Sequence, residues 1–249
     1  MFAAARPSVI HATSRQAAAL TRGYIDAVCE ADISSIDGVT RDPDRVRALI
    51  TSLAHNESTL ASNQALVRDL NGELTRQTAA TYLSLLARLH LIEDIPAWNP
   101  ALRSPIPLRS SKKRHMADPS LAAAALGASK TSLIQNPKTL GLLFESLVLR
   151  DLLVYAPVSD ARVFHYHDTA DLEVNAIVAK RDGTWLALEI KLGAAGIDAA
   201  CESLRKLRKK MQAEGNMPAV RECVIIGFGA PAHVTEDGIQ VIPIDTLAP

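Results

Sequence analysis

The most regular stretch of the chain runs from Leu140 to Leu192. In TWLALEIKLG, Leu186, Leu188, Ile190 and Leu192 alternate with Ala187, Glu189 and Lys191, the period of a strand with one face in a core. Glu189 and Lys191 therefore share the other face. LEVNAIV repeats the pattern, with Leu172, Val174, Ala176 and Val178 on one side and Glu173 and Asn175 on the other. DGT at Asp182 to Thr184 is a tight-turn signal, so the spacing predicts a hairpin that gathers Glu173, Asn175, Glu189 and Lys191 around one pocket. Upstream, Leu142, Leu143, Leu147, Leu149 and Leu152 predict an apolar helix interrupted by Glu145, a carboxylate that needs a partner if it is buried. VFHYH predicts a short strand, and its His165 and His167 share a face beside Asp168, which suits either a metal or an ordinary half-buried strand.

After the hairpin, Ile197, Cys201, Leu204, Leu207 and Met211 mark one helical face. The other faces carry Arg205, Lys206, Arg208, Lys209 and Lys210, read either as phosphate contacts or as a solvated surface. ECVIIGF predicts a buried strand, and IQVIPI a short edge strand because Pro243 interrupts it.

The earlier part reads as helices. Leu20, Tyr24, Ile25 and Val28 give a helical face between Arg15 and Ile36, and Asp42-Pro43 opens a second helix that buries Val46, Leu49, Ile50 and Leu53. A short helix from Ser62 to Leu70, a turn at Asn71-Gly72 and a longer helix capped by Thr75 suit a helix-turn-helix. Its second helix would present Arg76 and Gln77 to a groove or a partner. Between Ala101 and Ala117 the chain holds Arg103, Arg109, Lys112, Lys113 and Arg114 and no acid, either a local basic patch suited to backbone phosphates or a solvated loop. Asp118-Pro119 opens an alanine-rich helix, and the polar stretch 127–138 reads as a domain boundary.

Composition narrows the classes. With 27 basic and 27 acidic residues the net charge is zero, so any attraction to nucleic acid must be local. Cys29, Cys201 and Cys223 have no metal-ligand spacing and read as reduced, buried residues. No apolar run reaches the ~20 residues of a membrane span, and the first residues lack a secretory pattern. The expectation is a cytoplasmic protein without a membrane partner.

Three acids and a lysine in the order helix-Glu, strand, strand-acid, strand-E-x-K, helix, strand suit magnesium-assisted phosphodiester cleavage, in which carboxylates hold the cation and the lysine steadies developing charge. That order resembles the PD-(D/E)xK, or restriction-endonuclease-like, fold. More closely, GLLFESLV, HYHD, LEVNAIV and LALEIKLG look like the C-terminal module of a large prokaryotic family of AAA-plus-type ATPases, long classed as a domain of unknown function. YIDAVCEADI, LTRQTAATYLSLLARLHLIEDIPAW and KKRHMADPSL extend the likeness over nearly the whole chain.

The resemblance implies an α+β chain: a lead-in over 1–40, a winged-helix-like domain with wing and basic loop over 41–126, and a PD-(D/E)xK αβββαβ domain over 127–249. It implies Glu145, Glu173, Glu189 and Lys191 as catalytic residues, with the three glutamates on magnesium. Two departures stand against it. Asn175 occupies the position where the family pattern has Asp, which removes a charge from a cation site. No G-x-x-x-x-G-K-[ST] occurs, so no ATPase activity is expected of this chain. The reading is a DNA- or RNA-binding or partner-docking module with a degenerate site. Its alternatives are an active magnesium-dependent nuclease and an accessory subunit that serves a separate P-loop ATPase chain.

Overall fold

The computed structural model describes residues 13–72, 74–101 and 111–247. It is a mixed α+β structure, helical in its N-terminal half and built on a six-stranded mixed sheet in its C-terminal half. Arg103 and Arg109 lie outside the described residues.

Contacts divide the described chain into two units. The first comprises residues up to Asp94 together with Lys112–Ser146. Its first helix, α1 (Ser14–Ala27), runs on through a π-helical stretch, Val28–Asp32, to Ser35. Then come α2 (Pro43–His55), α3 (Asn63–Asp69), α4 (Arg76–Arg88), α5 (Pro119–Ala125) and α6 (Lys130–Gln135). The starts are set by local chemistry: Asp42, Ser62, Thr75, Asp118 and Ser129 each accept a backbone N–H of the first turn, satisfying donors that have no intrahelical partner. Between α3 and α4, Asn71 and Gly72 both take positive φ, as the turn signal required. Val46, Leu49, Ile50, Leu66, Leu86 and Leu91 are fully buried at the centre of this unit.

Two boundaries differ from expectation. The polar stretch 127–138 holds α6, which Ser129 caps. The division falls instead between Ser146 and Leu147, inside α7 (Pro137–Tyr155), because Glu145 and Ser146 bond to side chains of the first unit. The second shift concerns the segment after Ile95, read as part of the helical domain. It belongs with the sheet, because Trp98 N donates to His165 O at 2.8 Å and His165 N donates to Pro96 O at 3.0 Å.

The second unit carries β1 (Ala161–His167), β2 (Glu173–Lys180), β3 (Trp185–Gly193), β4 (Arg221–Phe228), β5 (His233–Val234) and β6 (Gln240–Pro243), with α8 (Ile197–Ala213) after β3. The sheet order is β1-β2-β3-β4-β6-β5. The first three strands are antiparallel, β3, β4 and β6 are parallel, and β5 is antiparallel to β6. Gly183, at φ +88°, makes the predicted β2–β3 turn possible. β6 is not the edge expected from Pro243. β5, two residues long, covers it, and Pro243 stands at its last position, where the missing N–H costs little.

The faces also differ from the alternation. Trp185 and Ala187, not Leu186 and Leu188, pack with Ala200, Cys201, Leu204 and Leu207 of α8. The helix therefore covers the face of β3 that carries Glu189 and Lys191. Residues on both faces of β3 are buried, Ala187 and Glu189 on one and Leu188 and Ile190 on the other, while Lys191 stays partly exposed.

Candidate functional site

A bulge in β2 shapes the site. Phe164 pairs with Ile177 but Tyr166 with Val174, so β2 carries one extra residue at Asn175–Ala176, and Val174 and Ile177 both enter the core beneath α8. There the Asn175 side chain takes over a backbone role: its Oδ1 accepts the N–H of Ile190 at 2.9 Å, and the residue is 7% exposed. The next residue back on β3, Glu189, is 3% exposed, and its Oε2 accepts from Lys191 Nζ at 2.7 Å.

The turn after β3 is shaped to the lysine. A Cβ on Gly196 would stand 2.9 Å from Lys191 Cγ and 3.0 Å from Lys191 Cβ, too close for any real side chain. A Cβ on Gly193 would stand 3.0 Å from the Phe228 ring, a tight approach. The G-A-A-G turn thus closes against the Lys191 stem and fixes the path of its ammonium.

Glu173 opens β2, half-buried, opposite His167 in the ladder. Glu145 falls in the helical unit, where its Oε1 stands 2.5 Å from Lys113 Nζ in an ion pair. Among the described residues no three His, Cys, Asp or Glu side chains are grouped to hold a metal ion. Of the expected triad, Glu145 belongs to the first unit and Glu173 and Glu189 to the second. Beside Glu189, a neutral amide bonded to backbone and a lysine ammonium do not fit a hard dication, which needs several free anionic or carbonyl oxygens. The histidine alternative fares the same: Asp168 is held by Lys210 Nζ at 2.5 Å, and His167 Nε2 lies 3.1 Å from Asp171. Burial pushes the Asp168 carboxyl up, but the bond from Lys210 and the N–H groups of Leu172 and Ala170 bring it below the usual value.

The basic run is not a continuous surface. Lys112 is exposed, but Lys113 is 1% exposed. Arg114, also buried, bonds to Asp94, to Asn63 and, at 2.9 Å, to Ala61 O. On α8, Arg205 pairs with Asp237, Arg208 with Glu222, Lys206 with Glu202 and Lys210 with Asp168. Arg205 holds the Asp237 carboxyl well below its ordinary value. Arg76 and Gln77 are exposed in the first turn of α4.

One polar cluster had no signal in the sequence. Glu57, 2% exposed, accepts from Ser146 Oγ at 2.6 Å and from Met116 N, and His115 Nδ1 lies 3.5 Å away. Positions 57, 115 and 146 are far apart in the chain and share no motif.

Family models match both halves. A family model described as Domain of unknown function (DUF8612) matches residues 5–132, just over half the chain. The chain belongs to this family. A second model, Domain of unknown function (DUF4143), matches residues 140–247 and spans the Glu189–Lys191 strand, whereas the Glu57–His115 pair lies in the DUF8612 segment. No curated protein matches. Among solved structures the chain is similar to one in a refined half-complex from a tetradecameric assembly of Thermococcus gammatolerans McrB AAA+ hexamers with bound McrC. The identity is 11% and the TM-score 0.29, over 81% of this chain and 47% of that one, so the chain spans about half the length of the solved chain it matches.

Proposed function

We propose that this chain is a binding module in which a PD-(D/E)xK-like sheet, preceded by a winged-helix-like helical part, has given up metal chemistry and serves to dock a partner. The element order supports the fold reading: a helix, three antiparallel strands, a crossover helix and a parallel fourth strand. One observation carries the functional reading. The Oδ1 of Asn175, where the family pattern has a metal-binding aspartate, is committed to the Ile190 N–H. Lys191 on Glu189 fits the same view, since the ammonium supplies the positive charge that a dication would otherwise supply.

The cations favour a protein partner over nucleic acid. Lys113 and Arg114 are buried in ion pairs, and most of the basic residues on α8 are neutralised by acids. Phosphate binding depends on uncompensated Lys and Arg. Arg76, Gln77 and Lys112 remain as exposed candidates for DNA or RNA. A separate P-loop ATPase chain is the partner that the family resemblance nominates.

The test is calorimetric titration of magnesium and manganese into the parent chain, Glu189→Ala, Asn175→Asp and Asn175→Asp/Glu189→Ala, with labelled DNA and RNA incubated in parallel. The expected result is no metal binding and no cleavage by the parent, and metal binding gained in Asn175→Asp and lost again in the double variant. Metal-dependent cleavage by the parent that disappears in Glu189→Ala would establish the nuclease reading instead.

A further inference from the structure

A cleft of about 260 Å³ lies between α8, the loop before β4 and the first residues of β4 and β6. It sits at the amino ends of the parallel strands, where Leu186 pairs with Arg221 and Cys223 with Gln240. Glu189 and Lys191 stand further along β3, beside Val224 and Ile226. The cleft is therefore separate from the acid and lysine site.

One wall is apolar and held in place. It is formed by Pro218, Ala219 and Val220, and the loop is fixed at three points: Asn216 N donates to Met211 O at 2.9 Å, Trp185 Nε1 to Met217 O at 3.1 Å, and Val220 N to Trp185 O at 2.8 Å. Val220, in this wall, is 51% exposed.

The opposite wall is polar and its charges do not cancel. Arg208 is forked onto Glu222, which neutralises both. Arg221 makes no ion pair among the described residues, and its Nη1 donates to the carbonyl of Val220, a residue of the apolar wall, at 3.0 Å. Gln240 accepts a weak bond from Cys223 Sγ through Oε1, leaving its NH₂ as a donor, and Gln212 adds a second amide. The lining thus carries one uncompensated positive charge, two amides and an aliphatic wall.

We infer that this cleft binds a carboxylate carried on an aliphatic group, with Arg221 taking the anion and the Pro218–Val220 wall taking the apolar part. A planar guanidinium fork matches a carboxylate, and a single net charge matches a monoanion better than a phosphate dianion. The volume, near the low end of small-molecule sites, suits a ligand of amino-acid size. Such a group comes either from a free aliphatic acid or from the C-terminus of a polypeptide.

The test uses the full chain and follows the Trp185 indole N–H by NMR, since that group is bonded to Met217 O, next to the cleft wall. The probes are sodium N-acetyl-L-leucinate, sodium 4-methylpentanoate and the neutral N-acetyl-L-leucinamide. A saturable shift with an acid is expected, weaker by about tenfold for the neutral amide and for Arg221→Gln, as loss of a charge-assisted bond requires. Lys209→Gln, exposed on α8 outside the lining, is expected to bind as the parent does. Tighter binding of N-acetyl-leucinate than of 4-methylpentanoate marks a polypeptide terminus as the source, and the reverse order marks a free acid. Absence of a saturable shift with either acid overturns the inference, as does equal binding of the neutral amide or undiminished binding by a folded Arg221→Gln.

Discussion

Nδ1 of His115 lies 3.5 Å from Oε1 of Glu57, and both side chains are buried in the helical unit. Burial, outweighing the bonds from Ser146 and Met116, pushes the Glu57 carboxyl from 4.5 up to about 8. Burial also pushes the His115 imidazole from 6.5 down to about 4. Between about pH 4.5 and 6.5 the unfolded chain holds its proton on His115 and the folded chain holds it on Glu57, so the two contributions to pH dependence cancel. From 6.5 to 8 only the folded chain still holds a proton, at Glu57, and stability falls as pH rises, by about 2 kcal/mol. Below about 4.5 the unfolded chain takes up a second proton first, and stability falls again. Thermal unfolding across pH is therefore expected to show a plateau from about 4.5 to 6.5. Glu57→Gln should remove the loss above 6.5 and expose the His115 slope, with stability rising by about 3 kcal/mol between pH 4 and 6.5. Identical pH profiles for the two proteins would show that this pair does not exchange the proton.

The Lys113–Glu145 pair makes a different kind of prediction. Lys113 is among the largest fully buried side chains, so removing its acid leaves a buried ammonium without that counter-charge. Glu145→Ala is expected to cost about 3 kcal/mol, and Lys113→Met/Glu145→Leu to recover most of it, because desolvating two charges offsets much of what the pair gains. Denaturant unfolding of the two variants checks the order. A double variant no more stable than Glu145→Ala would mean that the buried charges themselves specify this part of the fold.

How much of this was legible depends on the range of each interaction. Asp42, Ser62, Thr75 and Asp118 announce helix starts because a cap acts on the backbone two or three residues away. The β2–β3 hairpin was legible for the same reason, from Asp182-Gly183-Thr184. The fate of the cations was not. Arg114 is consumed by Asp94 and Asn63, 20 and 51 residues away, and nothing in KKRH marks two of its cations as interior. The bulge at Asn175 was hidden too, because alternation assumes an unbroken ladder and one extra residue moves the rest of the strand to the other face. The helix over Lys130–Gln135 and the two-residue β5 are too short for periodicity to register.

Asn175 can be probed without any metal. Asn175→Ala strands the buried Ile190 N–H and is expected to cost between about 1 and 3 kcal/mol. Asn175→Asp keeps the acceptor but adds a charge close to Glu189, so its loss should shrink when magnesium is added, while the alanine variant gains nothing from the metal. Comparing thermal midpoints with and without magnesium separates the two effects. A tolerated alanine would mean that the amide bond to Ile190 contributes little.

Gly196 gives the last prediction. A methyl there would meet the Cβ, Cγ and Cδ of Lys191 at 2.9 to 3.2 Å, and these are near-stem atoms that cannot swing aside as a side-chain tip can. In Gly196→Ala either the turn gives way and leaves the lysine in place, or Lys191 takes another rotamer that moves its ammonium off Glu189. The steric cost is expected to be about 1–3 kcal/mol, as for other overpacked sites. A purely structural defect would stop there. Displacement of the ammonium predicts in addition that Lys191, now partly exposed and bonded to Glu189, becomes easier to acylate by a water-soluble active ester, read by peptide mass spectrometry against Lys112 and Lys209 as internal references. Unchanged Lys191 labelling in a destabilised Gly196→Ala would mean that the turn gives way and the lysine keeps its place.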